Sequence, residues 1–485
     1  MSSLQDLTQV LSRKQEILDG NQAGVEKQKK SGKQTARERI AQLVDAGSFV
    51  EQGMLMEAGV VTGCGSVDGQ PVCVFAQDFA ANGAAMGAKQ AAKIVKLLDV
   101  ARKTGTPVIG ILDSNGAYIS EGAGAVEAYA DVLSHMARMS GVVPMIMAVL
   151  GPCVGAAAVM AEMADVSVVA KAGSVLLAGP QVLSSTMGKD LDAEALGGAQ
   201  KAVENGAAAV ACETEAEAIE AVKSVLAMLP ANNLEDAPIG GEEDAARKIS
   251  GFEAGCDGGK LIEAVADAGS VVELGKGYTK AVTAFGRIAG RSVAFVYTGS
   301  GDICEKRMLK IARFVRFADC FNIPVVSLMD TTGLKIWDTV QRHTAVLKAA
   351  STLVFAYSEA TTAKIAVVIG KAIGSAYTAM GGKANSDLTY AWPGSVIAPV
   401  SGEAAIQLEW KDKIAASEGD PVKAREALAA QYEAEVFDGI HAAEKGLVDD
   451  VIDPADTRKA LAAAIEMLAG KRDSNPPKKH DNMPL

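Results

Sequence analysis

The chain of 485 residues is long enough for two ordinary domains, each able to bury most of the apolar surface that its unfolded form exposes. Its net charge of −12 excludes a general nucleic-acid binder, which needs a surplus of Lys and Arg on one face. With 49% hydrophobic residues, only 5% aromatics and 49 glycines, the composition points to closely packed α/β structure rather than disorder.

Seven cysteines, at positions 64, 73, 153, 212, 256, 304 and 320, include no C-x-x-C pair. They read as reduced, mostly buried thiols of a cytoplasmic protein, and they supply no zinc ribbon.

In chain order, residues 1–40 read as helical, and the opening MSSLQDLTQVLSRKQEIL has no apolar core of a secretory signal. The basic patch of Lys27, Lys29, Lys30, Lys33, Arg37 and Arg39 is either a solvated helix face or a ligand site. From residue 59, GVVTGCGSVDGQPVCVFAQDF predicts a hairpin within a sheet, after which helix and strand alternate. The uncharged run from Met139 to Ala161 is long enough to cross a bilayer. However, Pro144, Gly151, Pro152 and Gly155 divide it into a strand, a tight loop and a small-residue helix, which is the pattern of a buried core unit.

The text then repeats. KIVKLLDVARKTGTPVIGILDSNGA, from Lys93, returns as KIARFVRFADCFNIPVVSLMDTTGL, from Lys310, and each copy places its Lys 20 positions before an Asp, Asp113 or Asp330. The strand, glycine loop and Ala/Gly/Met helix after Asp113 return after Asp330, so the chain is an internal duplication of roughly 220 residues. The connection LPANNLEDAPIGGEEDAARK places the boundary at 245, giving domains 1–245 and 246–485. Residues 403–469 read as helical and the tail as irregular.

An apolar strand that turns through glycine into a helix leaves N–H groups without intrahelical partners at the positive end of the helix dipole. The two candidates are Gly151–Ala157 and Gly370–Ala376, at equivalent places in the two copies. No G-x-S-x-G, H-E-x-x-H or P-loop sequence occurs, so chemistry is expected to rest on backbone donors. Asp113 and Asp330, at strand ends beside these loops, read equally as bases, substrate contacts or caps of a turn.

Several segments, in order, resemble the biotin-dependent acyl-CoA carboxyltransferases. These are GKQTARERIAQLVDAGSFVE (32–51), VFAQDFAANGAAMG (74–87), DSNGAYISEG (113–122), GPCVGAA (151–157), RFVRFADCFNIPVVSLMD (313–330), AYSEATTAKI (356–365), YAWPGSVIA (390–398) and AAEKGLVDDVIDPADTR (442–458). The resemblance implies an α/β fold of two tandem crotonase-like domains, the ββα superhelix of the ClpP/crotonase type. It also implies a homohexamer whose active sites form between the first domain of one subunit and the second domain of another.

The implied reaction moves a carboxyl group between biotin and the α-carbon of a short-chain acyl-CoA, of the propionyl/methylmalonyl or acetyl/malonyl type. Coenzyme A thioester is the substrate, the biotin ureido nitrogen takes the α-proton, and no side-chain base is needed. Gly155 and Ala156 match the donors to the thioester enolate oxygen, and Ser375 and Ala376 match those to the biotin ureido oxygen. The loop Gly83-Ala84-Ala85 looks like a second backbone donor to the thioester, further substrate contacts are implied at Gly116 and Thr378, and no metal is implied.

The chain carries no A-M-K-M site and no ATP-grasp pattern, so the implied partners are a separate biotin carboxyl carrier protein and either a biotin carboxylase or membrane decarboxylase subunits. The same half-reaction run backwards makes the α subunit of a decarboxylase one alternative, and departures from the family pattern at Asn115, Tyr118, Thr331 and Thr332 motivate a second, a catalytically silent structural paralogue.

Overall fold

The computed structural model describes residues 2–56, 59–241, 243–417 and 419–483. Two compact units form, Met1–Asp236 with Gly275–Tyr278, and Ala237–Leu274 with Thr279–Leu485. The division falls after Asp236 and not at 245, because the connection is already bonded into the second unit. Gly240 N–H donates to Gly290 O at 2.7 Å, Ile249 N–H to Ala455 O at 3.0 Å, and the buried Arg458 guanidinium reaches Asp244 O at 2.9 Å.

The first unit holds strands β1 (Val50–Gln52), β2 (Val60–Val67), β3 (Gln70–Gln77), β4 (Val108–Ser114), β5 (Met145–Val154), β6 (Val166–Ala170), β7 (Ser174–Leu176) and β8 (Val210–Cys212). The second holds β9 (Val272–Leu274), β10 (Val282–Ile288), β11 (Arg291–Tyr297), β12 (Val325–Thr331), β13 (Lys364–Ile373), β14 (Leu388–Ala391), β15 (Val396–Ala398) and β16 (Asp450–Val451). Among the described residues each unit is one sheet, ordered β1-β2-β3-β4-β5-β6-β8 with β7 beside β5, and β9-β10-β11-β12-β13-β14-β16 with β15 beside β13. The first three strands of each are antiparallel and the remainder parallel. Every strand therefore has a counterpart, and the duplication extends to the whole sheet.

Helices cover the parallel strands, which is why β4 and β12 are buried at every position and read as mainly apolar runs ending in a polar pair, with Ser327 of β12 hydrogen-bonded to Tyr357 Oη. Helix Ala88–Thr104 buries Ile94, Leu97, Leu98 and Ala101 on one stripe, and helix Glu305–Cys320 buries Ile311, Phe314, Val315 and Ala318 at the equivalent positions.

The duplication also begins earlier than the sequence comparison placed it. The segment Asp45-Ala46-Gly47-Ser48 returns as Asp267-Ala268-Gly269-Ser270, and both aspartates do the same work. Asp45 accepts the N–H groups of Asp68 and Gly69, each at 3.0 Å, and Asp267 accepts those of Ala289 and Gly290 at 3.0 and 2.8 Å. Each thus caps the left-handed two-residue turn of its hairpin, β2–β3 or β10–β11.

The basic patch divides, with Lys27, Lys29 and Lys30 exposed on a solvated helix face and Lys33, Arg37 and Arg39 turned inward to acidic partners. Lys29 pairs with Glu38 at 2.9 Å, Lys33 with Asp113 at 2.7 Å, Arg37 with Glu51 at 2.9 Å, and Arg39 with Asp113 at 2.8 Å and Glu215 at 2.6 Å. The cysteines are all unbridged, but only Cys73 and Cys153 are fully buried and Cys320 is exposed, so the expectation of mostly buried thiols is corrected. Among the described residues no helix is long and apolar enough to cross a membrane. The tail is irregular, as expected, yet tethered, with Arg316 bound to Asp481 at 2.6 Å.

Lys93 and Lys310 are equivalent buried lysines, each donating Nζ to a carbonyl at the start of the neighbouring hairpin, Val60 O at 2.5 Å and Ala281 O at 2.8 Å. Burial lowers both, Lys310 from 10.5 to about 8. Below pH 8 both folded and unfolded chains carry the Lys310 proton and the full burial penalty stands. Between about pH 8 and 10.5 only the unfolded chain binds it, so stability rises with pH by on the order of 2–3 kcal/mol. Urea unfolding across that window should show a smaller rise in Lys310→Met than in the wild type, the remainder coming from groups such as Lys93; parallel curves would refute the assignment.

Candidate active site

The candidate loops take shape where β5 and β13 outgrow their neighbours. The β4–β5 register runs Leu112↔Val149 and then Ser114↔Cys153, and the β12–β13 register runs Met329↔Val368 and then Thr331↔Ala372. Each long strand bulges opposite its aspartate and then continues along β7 or β15 as far as Val154 or Ile373. The expected tight loop is therefore strand, and the turn into the helix is a single residue, Gly155 or Gly374.

Both glycines adopt a conformation open only to glycine, φ 64° with ψ −129° and φ 64° with ψ −138°. Their own N–H groups are engaged, Gly155 with Leu176 O at 2.9 Å and Gly374 with Ala398 O at 2.8 Å. Helices Ala156–Met163 and Ser375–Met380 begin at the next residue, and no side chain caps either. The first protein-bound N–H of each turn belongs to Ala158, bonded to Gly155 O at 3.0 Å, or to Thr378, bonded to Gly374 O at 3.2 Å. Among the described residues Ala156 and Ala157 keep N–H groups without an acceptor, and so do Ser375, Ala376 and, one residue further, Tyr377. The open N–H groups of the first unit are thus those of Ala156 and Ala157, whereas the N–H of Gly155, expected as a donor beside Ala156, is bonded to Leu176 O. Gly155 supplies the bend instead. Aligning the two copies on the glycine would have revealed this, since Ser375 and Ala376 already stand one position further on.

The aspartates brace the bulges. Asp113 is inaccessible and held by Lys33 and Arg39, while Arg39 also donates to the bulge carbonyl of Leu150 at 3.2 Å. Asp330 accepts the bulge N–H of Lys371 at 3.1 Å and donates its own N–H to Thr298 Oγ1 at 2.9 Å. A Cβ on Gly151 would lie 1.9 Å from Asp113 Oδ1, and one on Gly370 would lie 2.3 Å from Asp330 Oδ1, so glycine is required beneath each carboxylate. Of the readings left open for these residues, the cap fits; Asp113 in particular is sealed from any substrate.

The loop Gly83-Ala84-Ala85 is a strained turn, with Asn82, Gly83 and Ala84 all left-handed at φ 53°, 59° and 49°. Its N–H groups are engaged internally, Gly83 with Phe79 O, Ala84 with Ala81 O and Ala85 with Asn82 O at 3.0–3.3 Å. The loop therefore presents no open N–H donor, contrary to the expected role. Asn115 Nδ2 would lie 2.3 Å from a Cβ on Gly83, which explains the glycine. Gly116, at φ 93°, donates to Ser114 Oγ at 3.0 Å and accepts Met86 N–H at 2.9 Å. Thr378 turns its hydroxyl back to Gly374 O at 3.3 Å.

Cys153, directly behind Gly155, is fully buried, and desolvation with the Asp113 charge pushes its thiol up to about 12. It stays protonated and is no nucleophile. Among the described residues no group of three His, Cys, Asp or Glu is placed to hold a metal ion. What each unit offers is a run of adjacent open peptide donors at a helix start, suited to an oxygen that gains negative charge.

Comparison with known proteins bears on the fold and the family. The carboxyl transferase domain matches residues 27–483. The propionyl-CoA carboxylase beta chain of Saccharopolyspora erythraea is 38% identical, with 96% of this chain and 93% of the relative covered. The methylmalonyl-CoA decarboxylase subunit alpha of Propionigenium modestum is 35% identical, with 98% of each covered. The hexameric transcarboxylase 12S, solved with hydrolyzed methylmalonyl-coenzyme A bound, superimposes with a TM-score of 0.92 at 36% identity, covering 99% of this chain and 98% of that one. With two tandem crotonase-like domains and this match over nearly its whole length, the chain belongs to the carboxyl transferase family.

Proposed function

We propose that the chain is a carboxyltransferase that moves a carboxyl group between biotin on a separate carrier protein and the α-carbon of a short-chain acyl-CoA. The observation that carries this reading is the duplicated pair of open N–H groups, Ala156 with Ala157 and Ser375 with Ala376, at the same place in both units. One reaction with two oxygens to polarise, a thioester carbonyl and a ureido carbonyl, needs two such pairs.

In this reading Ala156 and Ala157 hold the thioester oxygen as the α-carbon loses its proton, and Ser375 and Ala376 hold the ureido oxygen. Bound carboxybiotin supplies the carboxyl group and, once decarboxylated, a basic nitrogen. Ala157 and Ala376 are buried and Ser375 is exposed, so each pair joins a rigid core to an open approach. The strained turn at Gly83–Ala85 and the loop at Gly116 shape the wall beside the first pair. Thr378, one helical turn beyond Gly374, lies beside the second.

The proposed assembly is a homohexamer that docks a biotin carboxyl carrier protein, with a biotin carboxylase or membrane decarboxylase subunits completing the cycle. Supporting it, Ile119 and Ile336, at equivalent places beside the two loops, are 89% and 86% exposed, apolar surface suited to a second copy. A cytoplasmic location is part of the proposal, supported by seven unbridged cysteines.

The test incubates the purified protein with free biotin and with malonyl-CoA, methylmalonyl-CoA or glutaconyl-CoA, following loss of each thioester by chromatography. Biotin-dependent loss of one thioester is expected and identifies the acyl group. No loss of any, from folded oligomer, would favour a silent structural paralogue.

A further inference from the structure

We propose that Cys64 and Cys73 form a reversible redox pair, a dithiol that closes to a disulfide across the β2–β3 hairpin when a low-molecular-weight disulfide such as oxidised glutathione is present. The two residues are direct cross-strand partners, and their sulfurs lie 3.1 Å apart. Cys73 directs its N–H away from β2, to Pro107 O at 2.8 Å, so the two face each other at a non-hydrogen-bonded position. There opposed Cα atoms approach to about 4.5 Å, within the span that a disulfide bridges. No strand need move for the bond to form.

The members are unequal. Cys73 is 1% exposed, whereas Cys64 is half-buried, with the Gln52 amide 3.8 Å from its sulfur. One S–H shared between the two sulfurs stabilises a thiolate on the more accessible member, so the Cys64 thiol is lowered, while that contact and burial raise Cys73. Cys64 is therefore the attacking thiolate and Cys73 the resolving thiol.

In the first step the Cys64 sulfur attacks one sulfur of the small disulfide, whose S–S bond breaks and releases one thiolate. In the second, Cys73, losing its proton, attacks the mixed disulfide at the Cys64 sulfur and expels the other thiolate. The protein loses two electrons and two protons, and two molecules of glutathione leave reduced.

The fold itself does not require thiols here. The equivalent cross-strand pair of the second unit is Phe285 and Ala294, where the Phe285 ring packs 4.9 Å from that of Phe314. The pair belongs to the first unit alone, and it lies on the strand that leads to Gln77, whose Oε1 accepts Asp113 N–H at 3.1 Å.

The test treats the full-length protein with oxidised glutathione, blocks remaining thiols with N-ethylmaleimide, and cleaves before aspartate. Cleavage separates Cys64, in the peptide beginning at Asp45, from Cys73, in the peptide beginning at Asp68. The expected product is these two peptides joined, with both cysteines unalkylated, and the link is lost on dithiothreitol treatment. In Cys73→Ser, Cys64 should retain one glutathione; in Cys64→Ser, Cys73 should remain unmodified. If Cys64 and Cys73 are both alkylated while the exposed Cys320 carries glutathione, the proposal is overturned. If Cys73→Ser fails to trap glutathione on Cys64, the assigned order is overturned. The wild-type measurement stands even where a variant does not fold.

Discussion

Replacing Ala156 with proline is expected to lower kcat for carboxyl transfer by about 10²–10³-fold, the loss that follows removal of one oxyanion donor. The substitution is selective because Ala156 is the first residue of its helix, where proline fits and its missing N–H removes no intrahelical bond. Gly155, at φ 64° and ψ −129°, is in the mirror image of the extended conformation and tolerates a following proline. Ala156→Gly, which keeps the N–H, should retain most activity. Ser375→Pro tests the other pair in the same way, and it should depress transfer to biotin while leaving the KM for the thioester largely unchanged. Steady-state assays with free biotin measure all three variants. Full activity in Ala156→Pro, with its far-UV circular dichroism unaltered, would remove this N–H from the mechanism.

Arg39→Met is expected to destabilise the protein by about 3–5 kcal/mol, as measured by urea unfolding followed by circular dichroism. Arg39 is wholly inaccessible and joins four groups: Asp113, Glu215, Leu150 O and, through Asp113, Lys33. Removing it leaves the Asp113 carboxylate in the core with a single cation and the bulge carbonyl without its donor. The double variant Arg39→Met, Asp113→Leu should recover part of the loss, because no uncompensated charge then remains on Asp113. A single-variant loss under about 1 kcal/mol would show that the clamp is dispensable. Arg458 holds the second unit in a comparable way, with Asp267 at 2.7 Å and Val265 O at 2.6 Å. That arginine anchors the hairpin cap, however, not the bulge.

The different fates of Asp113 and Asp330 show what matched spacing leaves undecided. Both stand 20 residues after an equivalent lysine and end equivalent strands. One is clamped by cations 74 and 80 residues away, while the other accepts a peptide N–H from the neighbouring strand. The donor pairs differ from expectation for a related reason. The text identifies a glycine turn into a helix, but which N–H remains open depends on β7 and β15, whose carbonyls engage Gly155 and Gly374. The same holds at Gly83–Ala85, where a glycine-containing loop reads as a donor until its internal turns are seen to engage all three N–H groups.

By itself the sequence determined the two-unit α/β architecture, the order of helix and strand, the place of the candidate loops and the family. These follow from local patterns, such as apolar stripes at helical spacing, buried runs of strand length, glycines where φ is positive, and a text written twice. Only the tertiary structure decided which peptide groups stay open, which charges are sealed in pairs, and that Cys64 faces Cys73. Each of these is a meeting of residues from separate strands or distant segments, and hydrogen-bond satisfaction and burial are properties of such meetings rather than of either segment alone.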